Sequence, residues 1–244
     1  MKAHIINPKL GIYVDARTPQ THSLTQLLKD QFINELIPPT IDVTLTLAPC
    51  VKMVLIDDLL SHHQNTKMIK HMLTFVLHEG CSLEYNLPSS QHTSLKGLII
   101  EKELTIRLLG QEAHAAITCA CLGTSDTIYK FKTIQDHNAS NTTSTLLIKS
   151  VIDQQATIVA NNLINVESNL ENVMAEQSCK SILLSDTAKA IALPQLEIKS
   201  DNVVCKHGAA ISTFNDEHRF YLKSRGLSEA ETQQALVDGF LKTH

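Results

Sequence analysis

Hydrophobic and polar residues alternate with a period of two over most of the chain. The pattern is plainest in residues 40–47, TIDVTLTL, where every second side chain is apolar. Such alternation is typical of a strand with one buried face. Comparable runs recur roughly every 8–12 residues, with hardly a helical interruption, as in all-β folds. They cover residues 51–56, 73–77, 82–87, 95–101, 104–108, 115–122, 127–135, 143–152, 156–166, 181–184, 195–199 and 202–211. The pattern predicts a mainly β body.

The spacing of these runs leaves two architectures open. Short strands at this interval are usual in sandwiches and barrels. However, the connections seldom carry the Asn-Gly or Asp-Gly of a tight hairpin. Acidic and amide residues recur where the runs end, at Glu79, Gln111, Asp136, Asp153, Glu167, Asp186 and Asp201. A β-helix bends at such corners and stacks its coils over a continuous aliphatic core. We detect no strict repeat length, so periodicity alone does not exclude the sandwich.

Both ends of the chain carry helical patterns. Ser23 is a good N-cap for a helix that runs to about Leu36, before two prolines. Near the other end, Gly226 fits a helix C-terminus, and Ser228 with Glu231 forms a capping box. The last helix has an apolar stripe that must pack on the β body or on a partner. We therefore expect a mixed or helical segment over residues 1–39, a β core over 40–213 and a helical segment over 214–244.

Composition excludes several classes of function. The chain has 244 residues, 43% of them hydrophobic, and a net charge of −4. It therefore lacks a basic footprint for nucleic acid. No apolar run is long enough for a membrane span or a signal peptide. The six cysteines form no Cys-x-x-Cys pair, which favours free thiols in a reducing compartment. The glycine motifs of nucleotide-binding loops and of serine hydrolases are absent. We expect a cytoplasmic protein that does not hydrolyse ATP itself.

Three groups of residues are candidate metal ligands. Cys119 and Cys121 lie two apart on a predicted strand, which fits a metal pair but fits buried core thiols better. The adjacent pair at residues 62–63 is interpreted as a polar loop, because neighbouring side chains on a strand point to opposite faces. Cys205 and His207 would share a face, and both are ligands for iron or zinc. Two ligands do not complete a site, so a second chain would have to supply the rest.

Two longer motifs resemble a known family. Pro194–Ala209 (PQLEIKSDNVVCKHGA) and Phe220–Glu231 (FYLKSRGLSEAE) are similar to the signature of the SufB/SufD family, the scaffold components of the SUF iron–sulfur cluster assembly machinery. Ser181–Asp186 also resembles that family's run of leucines before Ser-Asp. The SufB branch carries Glu-His-Glu-Ala where this chain has Cys205–Ala209. The resemblance is therefore to the SufD branch.

The resemblance implies a right-handed parallel β-helix with short helical segments at both ends. It implies a non-catalytic subunit that pairs with a SufB-like subunit through the C-terminal end of the β-helix and couples to a SufC-type ATPase. No tightly bound cofactor is implied, only a transient iron–sulfur cluster at the partner interface, with His207 as a ligand and Cys205 beside it. The implied ATPase-binding residues are Phe220, Tyr221, Arg225, Gly226, Leu236 and Phe240.

Two other functions remain as alternatives. A structural paralogue could pair with itself as a homodimer through its unpaired strand edge and bind no ATPase. A polysaccharide-active β-helix enzyme would need clustered carboxylates and aromatic platforms for sugars. The chain has no Trp and only four Tyr, so this second alternative fits poorly.

Overall fold

The computed structural model describes residues 9–14, 20–29, 38–62, 66–89 and 97–242. The strands are β1 (Lys9–Val14), β2 (Gln20–Ser23), β3 (Thr40–Leu47), β4 (Lys52–Ile56), β5 (Met68–Leu77), β6 (Ser82–Leu87), β7 (Ile99–Leu108), β8 (His114–Gly123), β9 (Ile128–His137), β10 (Thr143–Ile152), β11 (Thr157–Val166), β12 (Glu171–Leu183), β13 (Lys189–Ile198) and β14 (Asn202–Ser212). The helices are α1 (Leu24–Lys29), α2 (Asp216–Ser224) and α3 (Glu229–Leu241).

The strands alternate between two seven-stranded sheets. One sheet contains the odd-numbered strands from β1 to β13, and the other contains the even-numbered strands from β2 to β14, each in sequence order. Every neighbouring pair is parallel. Each odd–even pair of strands is thus one coil of a β-solenoid. The prediction of a parallel β-helix is confirmed, and the sandwich alternative is wrong.

An aliphatic ladder fills the space between the sheets. In β5 every second residue is buried, from Ile69 to Leu77. Leu45, Phe75 and Ile106 are aligned by the register of β3, β5 and β7, so each inward side chain stacks on its counterpart in the next coil. Burial of such side chains stabilises the solenoid by roughly 1.5–3 kcal/mol each. Cys119 and Cys121 belong to this core, as the core interpretation expected.

Residues with a left-handed backbone conformation recur at the corners of the solenoid. Cys50, Gly80, Glu112 and Asn141 have φ between 58° and 65° and occupy successive corners between the two sheets, while Asn172, with φ of 56°, lies at an irregularity near the start of β12. The amide of Asn172 donates to the side-chain oxygen of Asn141 at 3.0 Å, which links two coils. Asparagine tolerates this conformation better than most residues. The predicted corner residues all lie between strands except one, because Asp136 lies within β9.

The N-terminal predictions are only partly within the described residues. Ser23 caps α1 through a hydrogen bond from the Gln26 backbone to Ser23 Oγ, at 3.2 Å. The predicted continuation of the helix to Leu36 lies outside the described residues. The ambiguous segment 57–70 contains a short 3-10 turn at Leu59–His62 and the start of β5, while residues 63–65 lie outside the described part.

Four polar side chains form a buried cluster inside the solenoid. Lys102 Nζ lies 2.5 Å from Asp57 Oδ2 and 2.7 Å from His71 Nδ1. The Tyr85 hydroxyl also donates to Asp57 Oδ2, and all four side chains are buried. The sequence pattern broke the predicted strand at Lys102, but β7 runs through it. Its inward side chain is accepted because the Asp57 carboxylate compensates its charge and His71 Nδ1 accepts a hydrogen bond from its ammonium group.

A second buried polar group makes stability depend on pH. The His137 ring lies 2.7 Å from Thr142 Oγ1 and 2.8 Å from Ser144 Oγ. Burial lowers the pKa of His137 from 6.5 to about 4. The unfolded chain therefore takes up a proton, as pH falls below 6.5, that the folded chain does not. We expect the free energy of unfolding to be unaffected by this group above pH 6.5 and to fall by about 3 kcal/mol between pH 6.5 and 4.

Urea denaturation at a series of pH values measures this dependence. The variant His137→Gln should lose this part of the acid sensitivity. The control His114→Gln, at an exposed position at the start of β8, should keep it. Equal pH slopes for His137→Gln and the unmodified protein would contradict the expectation.

Candidate functional site at the open end of the solenoid

The C-terminal end of the β-solenoid presents two unpaired strand edges. Within the described part of the chain, β13 pairs only with β11 and β14 pairs only with β12. Their outer backbone N–H and C=O groups therefore lack strand partners. Parallel edges of this kind are templates for another strand, and proteins usually cover or disrupt them. Residues 195–199 and 202–211, predicted as the last two β runs, fall at these edges.

The inward face of this last coil is apolar and exposed. Leu196 and Ile198 continue the buried column of Ile164 and Val166 in β11, so they point towards the interior of the solenoid. They are nevertheless 36% and 40% exposed, and Ile211 on β14 is 48% exposed. The inner side chains of every earlier coil are covered by the coil that follows. Here the described chain offers no further coil, so a core-type surface faces outward.

Cys205 and His207 belong to the same inward face. They are in register with the buried residues Ala175 and Gln177 of β12. Cys205 is half-buried and packs beside Val173 and Ala175. Burial raises the pKa of its thiol, whereas His207 is exposed. The expectation that the two side chains share a face is confirmed.

The pair does not form a complete metal site by itself. Among the described residues, no group of three or more His, Cys, Asp or Glu side chains is arranged to hold a metal ion. Cys205 and His207 offer at most two ligands, and structural zinc sites usually have four. The role of these residues as cluster ligands stays a prediction. A partner would have to provide the remaining ligands.

A polar layer lies directly beneath this face, and sequence reasoning missed it. Asn162 donates from Nδ2 to Cys179 Sγ at 2.9 Å and accepts from Thr133 Oγ1 at 2.8 Å. Gln177 donates from Nε2 to two backbone carbonyl oxygens, of Asn162 at 3.4 Å and of Gln195 at 3.2 Å. These inward side chains are polar, so residues 171–180 show no apolar alternation. No strand was predicted there, although β12 runs through them.

The helical tail is anchored through α3. Its N-terminus has the predicted capping box of Ser228 and Glu231. Val237 and Leu241 are buried against Ala120, Val151 and Ile182, three apolar side chains on the outer face of the even-numbered sheet. Lys149 of the same sheet donates to the backbone oxygen of residue 242 at 2.9 Å, with its Nζ 5.9 Å from the Phe240 ring centroid. The apolar stripe of the last helix therefore packs on the β body.

The predicted ATPase-binding residues fall into two groups. Phe220 and Tyr221 on α2 are 75% and 55% exposed, and α2 has no buried residue. Arg225 lies over the Tyr221 ring at 5.2 Å, and Gly226, with φ of 93°, follows it. The other two residues lie on α3 and are half-buried: Leu236, and Phe240, which packs against the cluster that holds α3 on the sheet. Their role in ATPase binding stays a prediction.

A family model described as "SUF system FeS cluster assembly, SufBD core domain" matches residues 57–240, which is most of the chain. The chain belongs to the SufBD family. The stretches that resemble the family's signature lie at the end of β12, on β13 and β14, on α2 and at the start of α3. No helix in the described parts of this SufBD-family chain is long and apolar enough to cross a membrane.

Curated relatives include members of both branches of the SufBD family. The iron–sulfur cluster assembly protein SufD of Escherichia coli K12 is 28% identical over 146 residues, or 60% of this chain and 34% of that protein. SufB of Bacillus subtilis 168 is 30% identical over 43% of this chain and 23% of that protein. A SufBD family protein of Synechocystis PCC 6803 is 34% identical over 48% of this chain and 25% of that protein. The chain thus spans about a third or less of these relatives.

Proposed function

We propose that this chain is a non-catalytic, SufD-like scaffold subunit of iron–sulfur cluster assembly. In this proposal it pairs with a SufB-like subunit through β13 and β14 and couples to a SufC-type ATPase through its helical tail. Membership of the SufBD family and the names of its relatives support the assembly role. The nascent cluster is the cargo of this interface and does not reside permanently on the chain.

One observation carries the pairing proposal: the last coil exposes an inner face that every earlier coil buries. Leu196, Ile198 and Ile211 are 36–48% exposed beside two unpaired edges. A partner solenoid that adds a strand to each edge would satisfy the backbone groups and cover the apolar side chains in one step. The partner should therefore itself end in a parallel coil, as a second member of the SufBD family would.

The same face supports a shared cluster site. His207 is exposed at the centre of β14 and Cys205 lies two residues before it on the inner side. Imidazole and thiolate are both suitable iron ligands, and thiolates in particular hold iron–sulfur clusters. A partner thiolate across the interface would complete the ligand set that two residues cannot supply. Separation of the two subunits would then release the cluster.

The tail provides a mechanical connection from an ATPase to this site. The exposed face of α2, with Phe220 and Tyr221, is the docking surface in this proposal. The adjoining helix α3 is fixed to β8, β10 and β12 through Val237, Leu241 and Lys149. Because β12 pairs with β14, a movement imposed on the tail would be carried through the sheet to the strand that holds His207.

Cluster formation on a reconstituted complex tests the proposal. A SufB-like subunit, a SufC-type ATPase and this chain are supplied with iron, a sulfide donor and ATP, and the cluster is followed by its visible absorbance. We expect His207→Ala to slow cluster formation by at least about tenfold, since even the loss of a group that only orients a metal ligand typically costs 10–100-fold. The control His114→Ala should have no effect. An unchanged rate for His207→Ala would contradict the ligand role.

A further inference from the structure

Gln177 is the side chain beneath His207. The two residues are register partners on β12 and β14, on the same inner face. Neighbouring strands lie about 4.8 Å apart, so side chains at paired positions are in reach of each other. Gln177 is 1% exposed, and His207 is exposed above it at the open end. The glutamine therefore lies beneath the position that His207 occupies at the open end.

The orientation of the Gln177 amide is fixed by the hydrogen bonds that its nitrogen donates. Nε2 donates to the backbone oxygen of Asn162 at 3.4 Å and to that of Gln195 at 3.2 Å. Both partners are carbonyl oxygens, which only accept hydrogen bonds. A reversed amide would place its own carbonyl against two acceptors, so the assignment of oxygen and nitrogen follows from the network. Oε1 is thereby turned away from these two carbonyls.

The Oε1 atom of Gln177 is buried, and no donor among the described residues reaches it. A buried acceptor without a donor destabilises a protein, whereas a leucine or methionine of similar size would not. The neighbours on the inner face of β14 narrow the choice of donor. Ala209 has none in its side chain, and the S–H of Cys205 is only a weak donor. The imidazole of His207 has a ring N–H, and rotation of this exposed side chain brings it over Gln177.

We propose that Gln177 is a positioning residue that orients His207, with Oε1 accepting a hydrogen bond from one imidazole N–H. That bond selects one neutral tautomer and directs the lone pair of the other ring nitrogen out of the open end. Metal-binding histidines are commonly held in this way through their second nitrogen. The consequence for iron rests on the proposed function: Gln177 keeps the imidazole of His207 oriented to bind iron when the partner supplies its thiolate.

Nitrogen-15 NMR of the isolated chain tests this proposal without a partner. Long-range proton–nitrogen spectra report the tautomer of His207, which is assigned by the signal that disappears in His207→Gln. We expect one tautomer, with a ring N–H that exchanges slowly enough with water to be observed. In Gln177→Leu, both tautomers should be present, and the ring N–H should exchange at least about tenfold faster because its acceptor is gone.

Two further measurements exclude a purely structural effect. Gln195→Leu removes the side chain of a second glutamine that lies on the outward face of β13, and should leave the His207 signals unchanged. The unmodified protein decides the question even if Gln177→Leu does not fold. Mixed tautomers or a rapidly exchanging ring N–H in that protein would overturn the proposal, as would identical His207 signals in the folded Gln177→Leu variant.

The outcome is independent of the reconstitution experiment. A single His207 tautomer together with an unchanged cluster formation rate in His207→Ala would leave the positioning of the imidazole intact and remove its ligand role. Mixed tautomers together with a slow His207→Ala complex would retain the ligand role and overturn the part assigned to Gln177.

Discussion

Lys102→Met is expected to lower the free energy of unfolding by about 3–5 kcal/mol, the usual cost of leaving one member of a buried ion pair uncompensated. Methionine fills most of the volume of the lysine but removes the ammonium group 2.5 Å from Asp57 Oδ2. Asp57 would keep the Tyr85 hydroxyl and the Leu59 backbone N–H as donors but lose its counter-charge. Urea denaturation monitored by circular dichroism measures the change.

A matched control separates this effect from the loss of any lysine. Lys130 lies on the outer face of β9, is half exposed and pairs with Glu101 at 2.9 Å. Because water screens exposed pairs, Lys130→Met should change stability by less than about 1 kcal/mol. The double variant Asp57→Asn/Lys102→Met should recover much of the lost stability, since no unpaired charge remains. Equal effects of Lys102→Met and Lys130→Met would contradict the account of the buried cluster.

Leu196→Asp is expected to weaken pairing with a SufB-like subunit by roughly 100-fold or more. Leu196 is 36% exposed on the inner face of the last coil, so a carboxylate there remains hydrated in the free chain. A partner coil over this face would bury the charge without a counter-ion, at a cost of several kcal/mol. A loss of about 3 kcal/mol corresponds to roughly 100-fold in the dissociation constant. Isothermal titration calorimetry with the partner measures it.

The same strand offers the control for this prediction. Leu193 is 47% exposed but faces outward, in register with the exposed Asn161 of β11. A partner that continues the solenoid would not cover this position, so Leu193→Asp should bind with nearly unchanged affinity. If the two variants lose affinity equally, the contact surface is not the inner face of the last coil.

The strands with aliphatic inner faces were predictable from the sequence. Over residues 40–47 and 82–87 the alternation is regular, and the structure has strands at the same places. The tail was predictable at its caps, because Ser228 and Glu231 form a capping box from local sequence alone. In both cases the determining interactions lie within a few residues of each other. No knowledge of the coil length was needed.

The polar groups inside the solenoid could not be predicted in this way. Asp57 and Lys102 are 45 residues apart, and Gln177 meets His207 only through the register of β12 and β14. Coil stacking brings such residues together, and the sequence has no strict repeat length from which to derive that stacking. The exposure of the inner face of the last coil could not be predicted either, since it depends on whether another coil follows.

The docking site of α3 did leave a signal in the sequence. Ala120, Val151 and Ile182 are apolar residues at outward positions, where the alternation otherwise places polar side chains. Three such exceptions in successive strands of one sheet mark a surface that another element covers. They would have favoured packing of the tail on the β body over packing on a partner.

Photo-crosslinking in the assembled complex tests the central claim most directly. Ile211, at the open end, and Tyr221, on α2, are each replaced by photo-reactive benzoylphenylalanine, and the crosslinked subunits are identified by mass spectrometry. Both positions are about half exposed, so the probe should not disturb the fold. We predict that the probe at Ile211 captures the SufB-like subunit and that the probe at Tyr221 captures the ATPase. Capture of only a second copy of this chain at Ile211, or of neither partner at either position, would contradict the account.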